Sequence, residues 1–136
     1  MQTPTSVAWP SGDTSRIPFA VYTDENLHQK ELERFFYRGH WCYVGLEAEV
    51  PNPGDFKRTV VGERIVILSR AADGQLHCFE NVCAHRGMQL CRKRHGSGGK
   101  VCVCPYHQWS SNLRGYLQGG PLRRGDHLAG RPAAAV

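Results

Sequence analysis

Two short segments constrain this chain more than anything else in it: Cys83-Ala84-His85 and Cys104-Pro105-Tyr106-His107. Each offers one thiol and one imidazole. Each is flanked by residues that turn the backbone, Arg86-Gly87 after the first and Pro105 inside the second. Strand-like residues lead into both. If the two loops meet, two sulfurs and two ring nitrogens face one centre, which makes Cys83, His85, Cys104 and His107 a candidate metal site. A single Cys-x-His would read as a small buried hydrophobe beside an ordinary loop histidine. The second pair, Cys-x-x-His with a proline inside it, shifts the reading to a metal.

The order of the donors points to which metal. A Cys₂His₂ set suits tetrahedral zinc, but zinc-finger halves are built from like pairs, Cys-x₂₋₄-Cys and then His-x₃₋₅-His. Here both halves are mixed, with Cys before His each time. That pattern suits a [2Fe–2S] cluster in which two thiolates hold one iron and two imidazoles the other, the Rieske arrangement. Cys83 and Cys104 are then expected on one iron, His85 and His107 on the other. Zinc, or no metal with two buried thiols, are the competing readings.

With 136 residues, one domain is the expectation. No apolar run is long enough to span a bilayer, and Met1 to Ser15 lacks the basic start and apolar stretch of a secretory signal. A cytoplasmic protein is expected. Six cysteines permit three disulfides. With two claimed by the cluster and no signal, Cys42, Cys78, Cys91 and Cys102 read as reduced thiols. The net charge of +5 is concentrated in Arg92-Lys93-Arg94 and Arg123-Arg124. These are short loop clusters rather than a basic face interleaved with aromatics, so no nucleic acid is expected as a partner.

Along the chain, residues 1–20 read as an extended arm rich in Pro, Ser and Thr. Asp24 to Phe36 reads as a short helix with Leu27, Leu32, Phe35 and Phe36 on its apolar face, and Gly39 as its stop. Trp41–Leu46 is aromatic and β-branched, a strand expectation that includes Cys42. Pro51–Gly54 is a turn. Phe56–Val61 and Arg64–Ser69 are strands joined at Gly62-Glu63, and Gln75–Asn81 follows a turn at Ala72–Gly74. Cys83–Met88 is the first ligand loop. Arg92–Lys100 should be an exposed connection, and Val101–Cys104 a strand entering the second loop. Trp109–Asn112 leaves that loop, and Asn112–Gly115 turns. Short strands at this spacing predict a mainly β fold, an antiparallel sandwich or barrel.

The run Cys83-Ala84-His85-Arg86-Gly87 with Cys104-Pro105-Tyr106-His107-Gln108-Trp109 resembles the Rieske domain of aromatic ring-hydroxylating oxygenases, in their large (alpha) subunit. Outside the motif, Ser15–Phe19, His40–Glu49 and Pro51–Arg58 resemble the salicylate 5-hydroxylase, anthranilate and terephthalate branch. The likeness runs from about residue 8 to 120. It implies a Rieske-type antiparallel β-sandwich over residues 39–120 with two cluster-binding hairpin loops, preceded by the arm and helix of residues 1–38. It also implies partners: a ferredoxin or NAD(P)H reductase supplying electrons, and alpha and beta oxygenase subunits. In that family a mononuclear iron in a further domain, held by two His and a carboxylate, activates O₂ and hydroxylates an aromatic acid.

No such triad follows the Rieske motif here, and residues 121–136 diverge into an Ala/Gly/Arg/Pro-rich tail. A truncated chain, inactive alone as an oxygenase, is expected, with Phe19, Phe35 and Phe36 exposed. A stand-alone Rieske ferredoxin is the alternative. High-potential Rieske proteins carry an extra Cys in each loop. The matching positions here are Met88 and Tyr106, so the resemblance implies a low-potential centre.

Overall fold

The computed structural model describes residues 7–9 and 15–120. The tail at 121–136 and most of the arm lie outside the described residues. The chain divides into two compact units, Met1–Trp41 and Cys42–Val136.

The first unit holds α1 (Ala20–Thr23), α2 (Glu25–Glu31) and a wide π turn over Leu32–Phe36. One helix starting at Asp24 was expected; the helical stretch begins earlier and is broken at that residue. Asp24 takes extended backbone angles, φ −81° and ψ 110°. Its side chain accepts from the Leu27 N–H at 3.0 Å. This is N-cap behaviour, and it ends α1 because a cap residue cannot itself be helical. The π turn closes with Tyr37 N–H donating to the Leu32 carbonyl at 3.0 Å. Gly39 follows at φ +72°, a conformation that stops a helix. Leu32 is buried, whereas Phe19, Phe35 and Phe36 are exposed, as expected.

The segment after Gly39 departs from expectation. Residues 41–46 form no strand. Trp41, Tyr43 and Leu46 are exposed, Tyr43 at 71%, and β propensity without a partner ladder does not make a strand. Cys42 is therefore not a strand residue. A 3₁₀ turn, Glu47–Glu49, follows. Arg70 pins it: its guanidinium donates to the Val50 and Gly74 carbonyls and to Glu47, each at 2.7 Å.

The first sheet has the order β3-β2-β1-β4. Strands β1 (Phe56–Val61) and β2 (Arg64–Arg70) are antiparallel, with Val61 opposite Arg64. The two-residue turn between them starts at Gly62, whose φ of +58° only glycine adopts freely. Val66, Ile67, Leu68 and Ser69 are all buried, as a central strand covered on both faces requires. β3 (Leu76–Glu80) pairs on the far side of β2. β4 (His95–Gly96) pairs with β1, Gly96 opposite Phe56. This corrects the expectation of a plain exposed connection over 92–100. β1 offers an unpaired edge, and Gly96 lets the backbone reach it: a Cβ there would sit 2.5 Å from the Phe56 ring.

The second sheet, order β5-β6-β7, contains β5 (Val101–Val103), β6 (Ser110–Asn112) and β7 (Leu117–Gly119). Asn112 shapes the β6–β7 turn by accepting from the Arg114 and Tyr116 N–H groups at 3.0 and 2.9 Å, an Asx turn. The core takes Ile67, Ala71 and Phe79 from the first sheet side and Cys102 and Leu113 from the second, with Cys83, Leu90 and Cys104 between. Ser69 donates to the Leu113 carbonyl and links the two sheets. The expected antiparallel β architecture is present. Among the described residues no helix is long and apolar enough to cross a membrane.

Candidate metal centre

Both Cys/His segments sit at hairpin tips built on one hydrogen-bond frame. In the first loop the Cys83 N–H donates to the Met88 carbonyl at 2.7 Å, and the Gly87 N–H donates back to the Cys83 carbonyl at 2.9 Å. In the second the Cys104 N–H donates to the Trp109 carbonyl at 2.7 Å, and the Gln108 N–H to the Cys104 carbonyl at 3.0 Å. The fifth position of each frame is left-handed: Gly87 at φ +70° and Gln108 at φ +57°. Gln108 is the only described non-glycine residue with positive φ, a strain that persists where surrounding structure dictates the turn. The frames superpose in pattern although His is the third residue of one loop and the fourth of the other.

The loops bring their donors together in pairs. The Nδ1 atoms of His85 and His107 stand 3.1 Å apart, with ring centroids 4.5 Å apart and planes at 76°. Two nitrogens each about 2.0–2.1 Å from a shared ion are held roughly 3 to 3.5 Å apart, so this spacing fits shared ligation. Cys83 and Cys104 are 2% and 1% exposed, and each thiol acts on the ionisation of the other. The sulfur pair is therefore the inner pair and the half-buried imidazoles the outer one. Among the described residues, no three His, Cys, Asp or Glu side chains converge on a single-ion site. Two donor pairs fit a two-iron group better than one tetrahedral ion.

Backbone N–H groups point at the sulfurs. Burial works to raise Cys104, but the N–H groups of Tyr106 and His107 and the thiol of Cys83 outweigh it and draw the thiol down. Burial raises Cys83, opposed by the N–H groups of His85 and Arg86. Such donors favour thiolate, the form that binds metal. Desolvation lowers His85, followed by the charges of His107 and Arg86; a neutral imidazole is the ligating form.

The model of the Rieske [2Fe–2S] domain matches residues 40–128. The chain belongs to that family. The Rieske domain is 62% identical over 122 residues to the large oxygenase component of salicylate 5-hydroxylase from Ralstonia sp, covering 90% of this chain and 29% of the relative. It is 45% identical over 128 residues to the large subunit of anthranilate 1,2-dioxygenase from Burkholderia cepacia, covering 93% and 30%. Among solved structures, naphthalene 1,2-dioxygenase from Rhodococcus sp. with indole bound aligns at a TM-score of 0.73 and 31% identity, over 85% of this chain and 28% of that one. The chain thus spans about 30% of the length of these curated relatives.

Within this Rieske domain three supporting features escaped sequence reasoning. Trp109 stacks on His85 of the other loop, centroids 4.7 Å apart and planes 10° from parallel. Tyr106 packs edge-on against His107 at 4.3 Å. Asn81 ties the two ends of the first loop region together. It accepts from the Cys91 N–H at 2.7 Å and donates to the Cys91 carbonyl at 2.8 Å. A polar residue two positions before a ligand Cys was the available signal for Asn81. Cys91 and Cys102, read as reduced thiols, pack in the same core as Cys83 and Cys104, with their own sulfurs 3.8 Å from each other.

Proposed function

We propose that this chain is the electron-accepting Rieske part of an aromatic ring-hydroxylating oxygenase large subunit, with residues 39–120 as its cluster domain and residues 1–38 as an accessory arm and helix. Cys83 and Cys104 would hold one iron of the cluster, His85 and His107 the other. The [2Fe–2S] cluster, when bound, supplies a one-electron couple whose potential imidazole ligation raises above that of an all-Cys cluster. The chain's own residues bind and orient. The buried thiols face backbone donors, which stabilise negative charge without moving. His85 and His107 would hold iron through the Nδ1 atoms that face each other, which would leave each Nε2 to carry the ring proton. Trp109 holds the plane of His85, and Gly87 and Gln108 hold the loop tips.

The observation that carries this reading is the convergence of two hairpin tips on one frame, with paired Nδ1 atoms 3.1 Å apart. The likeness to salicylate 5-hydroxylase supports an aromatic acid of the salicylate kind as substrate of the whole oxygenase. Hydroxylation itself would use a mononuclear iron held outside residues 1–136. The electron donor is a ferredoxin or an NAD(P)H reductase, and the described cysteines form no disulfide, which fits the cytoplasm.

Iron and sulfide analysis with EPR on anaerobically purified chain tests the reading. We expect a coloured protein with equal iron and sulfide and a rhombic signal after reduction. Cys104→Ser or His107→Ala should abolish the signal, while Cys42→Ser keeps it. A colourless protein with stoichiometric zinc would refute the proposal.

A further inference from the structure

We propose that Cys91 and Cys102 are a second redox site, a dithiol that hydrogen peroxide closes to a disulfide beside the candidate metal centre. The two sulfurs are 3.8 Å apart. A disulfide bond is about 2.05 Å long, so roughly 1.8 Å of sulfur movement completes it. Both main chains are held in place. Asn81 grips Cys91 at its N–H and its carbonyl, and Gln89 donates to that carbonyl at 3.0 Å. Cys102 sits in the β5–β6 ladder opposite Ser111. The remaining adjustment falls on side-chain torsions.

The pair is also reachable. A cavity of about 250 Å³ is lined by both cysteines together with Phe56, Leu90, Lys93 and Leu113. Hydrogen peroxide is little larger than water, whose share of liquid volume is about 30 Å³. Cys91 is half-buried, and Cys102 lies behind it at 4% exposure, which makes Cys91 the attacking sulfur. Its thiol is drawn to about 7, first by the hydrogen bond from Cys102 and then by Arg58 and Lys93, against the effect of burial. Thiolate is the nucleophile in such reactions.

The steps balance. The Cys91 sulfur attacks one peroxide oxygen, and the O–O bond breaks. The departing hydroxide takes up the proton that Cys91 released and leaves as water. Cys91 is now a sulfenic acid. The Cys102 sulfur attacks the Cys91 sulfur, the S–O bond breaks and the S–S bond forms. The second hydroxyl leaves as water with the Cys102 proton. Two electrons have passed from the sulfurs to the peroxide. The bridge joins the end of the first loop region to the strand that enters the second loop.

The test uses the full chain with its cluster, purified anaerobically, exposed to equimolar hydrogen peroxide and quenched by alkylation. We expect the intact mass to fall by two hydrogens and a digest to contain a Cys91–Cys102 linked peptide. Visible absorbance should be retained, and a dithiol reductant should reverse the change. In Cys102→Ser, Cys91 should stop as a sulfenic acid captured by a 1,3-diketone probe. Should that variant not fold, the wild-type digest decides alone. Full alkylation of both cysteines after peroxide overturns the proposal. So does oxidation confined to a Cys83–Cys104 linkage with bleaching, or Cys91 sulfinic acid beside an alkylated Cys102. The inference does not depend on the cluster: a chain that proved to bind zinc, or no metal, should still yield the same linked peptide.

Discussion

Asn81→Ala probes how the first loop is held. Asn81 is 2% exposed and makes two hydrogen bonds to the backbone of Cys91. The two bonds are not equivalent. The Cys91 carbonyl has a second donor in Gln89, so truncation leaves it satisfied. The Cys91 N–H loses its acceptor. A buried donor left without a partner costs about 1–3 kcal/mol. The second lost bond adds about 0.5–1.5 kcal/mol, and the small hole left by the side chain about 1 kcal/mol more. We expect a loss of about 2.5–5.5 kcal/mol, a large share of the 5–15 kcal/mol typical of a domain. Gln89→Ala removes only the redundant donor and should cost under about 1 kcal/mol. Denaturant midpoints of the two variants measure the difference at unchanged slope. Hydrogen exchange localises it: the Cys91 amide should exchange at least about tenfold faster in Asn81→Ala, a change equivalent to about 1.4 kcal/mol, and unchanged in Gln89→Ala. Equal midpoints for the two variants, or a Cys91 amide as protected as in the wild type, would show that Asn81 does not anchor the loop.

Two glycines of positive φ should respond differently to alanine. At Gly115, φ +83°, a Cβ would stand 2.7 Å from Phe79, so strain and overpacking combine to about 2–4 kcal/mol; at Gly87, φ +70° with nothing within 4 Å, backbone strain alone should cost about 1 kcal/mol, and melting curves compare them. The Glu49 carboxyl lies below its ordinary value of 4.5, chiefly because Lys57 donates to it at 2.6 and 2.7 Å. Its stabilising contribution is present above pH 4.5 and is lost as pH falls through the lowered native value. Lys57→Met should flatten the acid limb of the stability curve, slightly, since the pair is exposed. With Met88 and Tyr106 at the loop positions where high-potential relatives carry a disulfide, the midpoint should lie near the lower end of the roughly −150 to +300 mV Rieske range; voltammetry giving a value well above zero would contradict this.

What could be read from the chain alone was local chemistry. The donors Cys83, His85, Cys104 and His107 declare themselves by residue type and spacing, and the β1–β2 hairpin by two strand-forming runs joined at Gly62-Glu63. Turn residues and ligand types act over a few positions, so one stretch of sequence carries the whole signal. The tertiary structure decided everything that needed a distant partner. Residues 41–46 have strand-forming side chains and no ladder to join, whereas His95–Gly96, polar and short, becomes β4 because β1 has an open edge. Trp109 reaches across to His85, and Asn81 to Cys91. Gln108 occupies a glycine-like conformation because the second hairpin closes on the same frame as the first. Which sulfur faces which, and which ring faces which, follows from hydrogen bonds and packing between segments about twenty residues apart, a separation at which periodicity in the sequence no longer carries information.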